Sequence, residues 1–251
     1  MYIYETHLHT VEASRCGKTP GAEYVRYMRT LGYSGFIVTD HFFNGNSRID
    51  RDLPWEERVL QYVSGYEHAR EAAEGTDMKV FFGIEFNFDG DEYLLYGPDR
   101  DWLLSHPEVM EMTRPELHRA MRDIGGLMIQ AHPYRERGYL TAIHLLPHDV
   151  DGAEAFNAAN EPYQNALGYQ YARKFGLTMT GGSDIHYFHD NDMGGMAFDH
   201  PLTCIEDYIR GVLNGEGTPV LIRGGRVTPV SEMPEFTVTD RGPELPVVWH
   251  E

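Results

Sequence analysis

The sequence predicts an α/β fold, a TIM-like barrel with its chemistry at the C-terminal mouth of the strands, and three observations carry that reading. Short apolar runs recur and end in histidine or a carboxylate: Tyr2 to Leu8 with His7 and His9, Phe36 to His41, Val80 to Glu85, Leu127 to His132, and Leu177 to His186. Helix signals fill the intervals between these runs. The anchors His7, His41, Glu85, His132 and Asp184 lie 34, 44, 47 and 52 residues apart, each enough for a strand–helix–strand unit of about 30 residues plus loops. Strands alternating with helices at that period pair in parallel, and ligands on successive strand ends converge only if the sheet closes. An open, doubly wound sheet is the alternative.

Taken in order, the first run reads as a strand whose alternating side chains put His7 and His9 on one face. Thr19-Pro20 offers a cap and a first-turn proline, Val25, Met28 and Leu31 share a face, and Gly32 closes that helix. A helix over about 54–74 follows the strand that ends at His41. The longer interval between Glu85 and His132, with Tyr93-Leu94-Leu95-Tyr96-Gly97-Pro98, predicts a short hairpin decorating the mouth. A helix from Thr113 then turns Leu117, Met121 and Ile124 inward and stops at Gly125, and another runs from Tyr163 to Phe175 before Gly176. Thr203-Cys204-Ile205-Glu206 reads as a capping box ahead of Ile209, Val212 and Leu213. Five prolines between Pro219 and Pro246 argue against a long terminal helix. Residues 215–251 are therefore expected as the C-terminal edge segment and tail of one domain spanning 1–251.

Composition narrows the partners. With 39 acidic against 21 basic residues the formal net charge is -18, which opposes approach to long DNA or RNA. No apolar run reaches the roughly 20 residues that span a bilayer, and no basic region precedes an apolar signal core, so no membrane partner and a cytoplasmic location are expected. Cys16 and Cys204 are too few for a disulfide framework and fit a reducing compartment.

The candidate ligands are His7, His9, His41, His132 and His186 with Glu85 and Asp184, and Glu12 as an eighth. One ion takes about four to six ligands, so this inventory implies at least two ions, and mixed imidazole and carboxylate suits zinc, manganese or iron better than calcium. Five neutral imidazoles and three carboxylates carry about -3, while two or three divalent ions add about +4 to +6, which makes the pocket attractive to anions. Asp40 precedes His41 and faces away from it, so its expected role is to orient a neighbouring imidazole.

The ordered set His7-x-His9, Thr39-Asp40-His41, Gly83-Ile84-Glu85, Ala131-His132-Pro133 and Gly182-Ser183-Asp184-Ile185-His186 resembles the polymerase and histidinol phosphatase (PHP) family of metal-dependent phosphoesterases. The resemblance runs from His7 to His186 and implies a distorted (β/α)7 barrel whose two or three metal ions hydrolyse phosphate esters. Family members place an Asp or His a few residues beyond the first motif, where this chain has Glu12, or Cys16 as the lesser alternative. A further histidine usual between the Gly-x-Glu and His-Pro motifs has only His106 and His118 as counterparts.

The expected reaction is attack of a metal-activated water on a small phosphate monoester or short nucleotide phosphate. Arg135, just after His132-Pro133-Tyr134, is expected to contact the phosphate, with Arg15 as a second contact and Arg137 as a weaker one. The leaving group would take its proton from Asp184, His186 or a metal-bound water. A metal-dependent amidohydrolase also begins with His-x-His, but often bridges its metals with a carboxylated lysine. This chain has only Lys18, Lys79 and Lys174. A non-enzymatic, metal-stabilised accessory or binding domain is the third reading.

Overall fold

Both faces of the sheet are covered, and this explains why its central strands are almost uninterruptedly apolar. The structure, a computed structural model, describes residues 1–189 and 191–250. In chain order the elements are β1 (Tyr2–Leu8), α1 (Gly21–Thr30), β2 (Gly35–Val38), α2 (Trp55–Tyr62), α3 (Ser64–Ala73), β3 (Lys79–Phe88), β4 (Asp91–Tyr96), α4 (Arg100–Ser105) and α5 (Arg114–Asp123). They continue with β5 (Leu127–Gln130), β6 (Ile143–Leu145), β7 (Gly152–Asn157), α6 (Pro162–Phe175), β8 (Thr178–Gly182), β9 (Met193–Phe198), α7 (Ile205–Leu213), β10 (Thr218–Arg223), β11 (Arg226–Pro229) and β12 (Val247–Trp249).

Ten strands form one sheet in the order β11-β10-β9-β1-β2-β3-β4-β5-β7-β8. Pairing is parallel for β1 with β2, β2 with β3, β5 with β7, and β7 with β8. The sheet curls into a half-barrel, and the segment beyond β8 returns to β1. There Leu8 and Ile185 form a parallel bridge, in which the His9 N–H donates to the Ile185 carbonyl at 2.9 Å and the Ile185 N–H donates to the His7 carbonyl at 3.1 Å.

Several expectations need correction. The hairpin foreseen as a decoration of the mouth is β3 with β4, turning at Asp89-Gly90, and β4 is a full member of the sheet, antiparallel to both β3 and β5. Its Tyr93 to Tyr96 are buried on both sides, so they were never free to form an appendage. The helix expected over 54–74 is two helices that meet at Val63. Leu117 and Met121 face the core as foreseen, but Ile124 and Leu213, at helix ends, are 39% and 51% exposed. The last helix begins at Ile205. Asp207 rather than Glu206 answers Thr203, accepting from its N–H at 2.8 Å and its hydroxyl at 2.5 Å. The C-terminal segment contributes β10 and the edge strand β11, and β12 pairs in parallel with β6.

Phe42 and Phe43 are core residues that pack with Tyr62 and Phe86 beneath α2. On the other flank α1 and α3 touch through glycines: a Cβ on Gly21 would lie 2.0 Å from the Gly65 carbonyl oxygen. Gly21→Ala is expected to cost about 1–3 kcal/mol through overpacking, read as a lower urea midpoint at unchanged slope.

Burial raises the phenols of Tyr24, Tyr62, Tyr93 and Tyr96, and that of Tyr134 to about 12. Their folded values lie above the unfolded value near 10, so the stability they contribute is complete below pH 10 and is lost as pH climbs through the folded values. Tyrosinate absorbance should therefore appear together with loss of near-ultraviolet circular dichroism, rather than in a smooth titration near pH 10.

Candidate metal centre

Parallel strands point the same way, so residues at their C-terminal ends gather at one rim. His7 is the penultimate residue of β1 and His9 lies just beyond the strand. His41 follows β2 and bridges to Glu85 in β3, His132 follows β5, and Asp184 and His186 follow β8.

Glu85 sits at the middle of the cluster. Its carboxylate lies 3.0 Å from His7 Nε2, 2.6 Å from His41 Nδ1 and 3.3 Å from His132 Nε2. Asp184 Oδ1 lies 3.4 Å from His7 Nε2 and 3.0 Å from His9 Nε2. The ring of His186 stacks on that of His9 at 4.3 Å between centroids. Four overlapping groups of ligand atoms result: His9, His41 and His186; His7, Glu85 and His132; His7, His9 and Asp184; and His41, Glu85 and Glu92.

The cluster has the signature of a cation site. His7 Nε2, His9 Nε2, His41 Nδ1, Glu85 Oε2 and Asp184 Oδ1 are buried, and although they crowd one another, none takes part in a hydrogen bond. Buried polar atoms are rarely left so. Imidazole and carboxylate lone pairs that face a common space are satisfied together by a divalent ion, and the nitrogen and oxygen donor set fits zinc, manganese or iron.

The charges are arranged accordingly. Burial would raise the Glu85 carboxyl, but His41 and His7 hold it well below the usual range. Burial acts likewise on Asp184 and is outweighed by His7 and Arg135. Burial, with His186 and His41 nearby, pushes His9 down to about 3, so it is neutral and ligand-competent. Burial also pulls His7 down, but Asp184, Glu154 and Glu85 together raise it well above its ordinary value.

A supporting layer orients these ligands. Glu154 Oε1 lies 3.1 Å from His7 Nδ1, and its other oxygen accepts from the His132 N–H at 2.9 Å and from Asn157 Nδ2 at 2.8 Å. His7 thereby presents Nε2 to the cluster. Asp40 accepts from the Thr10 N–H and hydroxyl and from the Ser14 hydroxyl, each at 2.6 Å. Ser14 Oγ lies 3.2 Å from His9 Nδ1 and accepts from the His41 backbone N–H at 3.0 Å, so Ser14 links Asp40 to the His9 ring and to the His41 backbone. Glu5, wholly buried, accepts from the N–H groups of Thr6, His7 and Ser183 and from the Ser183 hydroxyl, which ties β1 to the loop after β8. His132 and Asp184 have φ of 27° and 56°, a left-handed conformation in which non-glycine residues are uncommon and which concentrates at functional positions.

Two expected residues, Glu12 and Arg15, are placed otherwise, and a third, Arg135, has a further task. Glu12 is outside the cluster: its carboxylate accepts from the Gly21 N–H at 3.1 and 3.2 Å and lies 3.2 Å from His68 Nδ1. An unsatisfied N–H at the start of α1 claims it. Arg15 is exposed and donates from Nε to the Ser47 carbonyl at 2.7 Å, away from the cavity. Arg135 lines the cavity, yet it donates to Asn160, Asn157 and Asp184, so its first task is to clamp Asp184. His106 bonds to the Trp102 carbonyl and His118 to Asp151, and neither joins the cluster.

Glu92 was missed. It lies 3.5 Å from both His41 Nδ1 and His132 Nε2, and burial together with the Glu85 charge raises it to about 7. The dipeptide Asp89-Gly90 is a strong hairpin signal, and the hairpin it implies carries Glu92 back to the end of the strand that holds Glu85. Glu154 had a weaker signal, a carboxylate inside the apolar run Gly152 to Phe156.

A cavity of about 600 Å³ opens over the cluster, bordered by His41, Glu85, Glu92, Asp184, Arg135 and Arg137. A second, of about 540 Å³ and lined by Tyr66, Arg70, Lys79 and Arg100, lies at the opposite ends of the strands and includes none of the cluster residues.

No family model and no curated protein matches the chain in sequence. In structure it is similar to a two-domain protein of Bacteroides vulgatus, named as containing a predicted PHP-like metal-dependent phosphoesterase. The TM-score is 0.67 at 15% identity, over 94% of this chain and 68% of that one. It is also similar to PsfC of Pseudomonas syringae, with a TM-score of 0.52 at 15% identity, over 83% of this chain and 87% of the other. At these identities the likeness establishes a shared fold.

Because Glu154 fixes which nitrogen His7 presents, Glu154→Gln is expected to weaken zinc binding by about 10- to 100-fold. Calorimetric titration of metal-free protein checks this, with far-ultraviolet circular dichroism unchanged.

Proposed function

We propose that the chain is a PHP-type metal-dependent phosphoesterase that hydrolyses a small phosphate monoester or a short nucleotide phosphate. The observation that carries this is the set of buried, unsatisfied atoms around Glu85 and Asp184 opening into a cavity bordered by two guanidinium groups, Arg135 and Arg137. We read the ring of β1, β2, β3, β4, β5, β7 and β8 as a distorted (β/α)7 barrel.

Two or three divalent ions (zinc, manganese or iron), held by His7, His9, His41, Glu85, His132, Asp184 and His186, would supply Lewis acidity toward water and phosphoryl oxygens. Glu92 is a further ligand candidate. The protein's own groups divide the remaining work. Glu85 belongs to two of the ligand groups and would help to hold an ion in either. Asp184, kept ionised and clamped by Arg135, is suited to holding an ion and poorly suited to donating a proton. Arg135 has N–H groups beyond the three already engaged, which a phosphoryl oxygen can accept.

Phosphate is favoured over an amide by the lysines. Lys79 opens β3 at the far end of the sheet, Lys18 lies over the Tyr187 ring, and Lys174 over Trp249, so none is available to bridge ions. The acidic exterior, at a formal -18, disfavours long nucleic acid as substrate.

Protein loaded with manganese or zinc is expected to release phosphate from a panel of small monoesters, and His132→Ala to abolish release while circular dichroism is retained. Activity on cyclic amides with none on phosphoesters would overturn the proposal, as would stoichiometric metal with inertness toward both panels.

A further inference from the structure

Among the side chains that line the cavity without a part in the function above is a thiol, that of Cys16. Its loop is pinned to the site. The Val11 N–H donates to the Thr19 carbonyl at 3.0 Å, the Arg15 N–H to Asn46 at 3.0 Å, and the Lys18 N–H to the His186 carbonyl at 2.8 Å. Ser14 forms an antiparallel bridge with Ser47. With the backbone so held, Glu12 turns out toward α1 and Cys16 turns in, where it lines the cavity together with His41 and His186.

The adjoining face of the cluster is unusual in its donors. His9, His41 and His186 bring ring nitrogens within 4.8 Å of one another. His9 Nε2 and His41 Nδ1 are buried and make no hydrogen bond. This group of three is the one among the described groups that contains no carboxylate. A divalent ion on three neutral imidazoles lacks an anionic donor, and the loop that would have delivered Glu12 delivers sulfur instead.

We propose that Cys16 supplies a thiolate ligand to a cation held by His9, His41 and His186, so that this corner of the centre favours zinc or iron(II) over manganese. The assignment rests on the metal-dependent reading above. On binding, a sulfur–metal bond replaces the S–H bond and the thiol proton passes to solvent.

Cobalt(II) titration of metal-free protein, followed by optical spectroscopy and elemental analysis, tests this directly. Wild-type protein should develop a near-ultraviolet sulfur-to-cobalt charge-transfer band. Cys204→Ser should retain the band, whereas Cys16→Ser should lose it. Cys16→Asp should lose the band yet keep the full cobalt load, and in competition it should shift preference from zinc toward manganese. Full cobalt loading of the wild type without the band, or a band that survives Cys16→Ser, would overturn the assignment while leaving the metal-dependent function intact. Failure of cobalt to bind at all would overturn both.

Discussion

Two ionised carboxylates, Glu85 and Asp184, are buried among imidazoles at the rim of the sheet, and the rest of the structure is arranged around that fact. An unpaired buried charge costs several kcal/mol, so such groups persist only where partners surround them. Here the partners come from strands far apart in the chain: His7 from β1, His41 after β2, His132 after β5, and Arg135 on the Asp184 side. Imidazole nitrogens offset the carboxylate charge in part, and the atoms left without hydrogen bonds define the space a cation would fill.

The sheet serves that convergence at some local cost. Close approaches bring β8, β9 and β1 together: a Cβ on Gly194 would lie 2.1 Å from the Gly182 carbonyl oxygen, and one on Gly182 would lie 2.7 Å from His7 Cβ. The positive φ of His132 and Asp184 turns these two ligands inward at points where a regular strand exit would direct them elsewhere. Glu5 and Glu154 carry hydrogen bonds from backbone and side chains at the same rim, so the support of the ligands is as buried as the ligands themselves.

Much of this was legible in the linear chain. His7 and His9 declared themselves by the two-residue period of a strand, and Glu85, His132, Asp184 and His186 by their place at the ends of apolar runs. The failures were of one kind. Glu12 and Cys16 sit in the same short loop, where no periodicity says which side chain turns inward, and the N-terminus of α1 claimed Glu12. Arg135 was recognisable as near the site, but not as a clamp, because Asn157 and Asn160 reach it from another strand end. Glu92 entered through a hairpin whose β4 inserts between β3 and β5.

The sequence by itself therefore determined the mixed α/β class of fold and pointed to His7, His9, His41, Glu85, His132, Asp184 and His186 as one group, because strand and helix periods, turn dipeptides and residue types are local properties. Only the tertiary structure decided which residues meet: that β4 runs antiparallel within an otherwise parallel stretch, that Ser14 links Asp40 to the His9 ring, and that Cys16 rather than Glu12 borders the cavity. Those outcomes depend on how the sheet curls and on competition between distant partners for the same polar atom, and such competition has no signature in residue order.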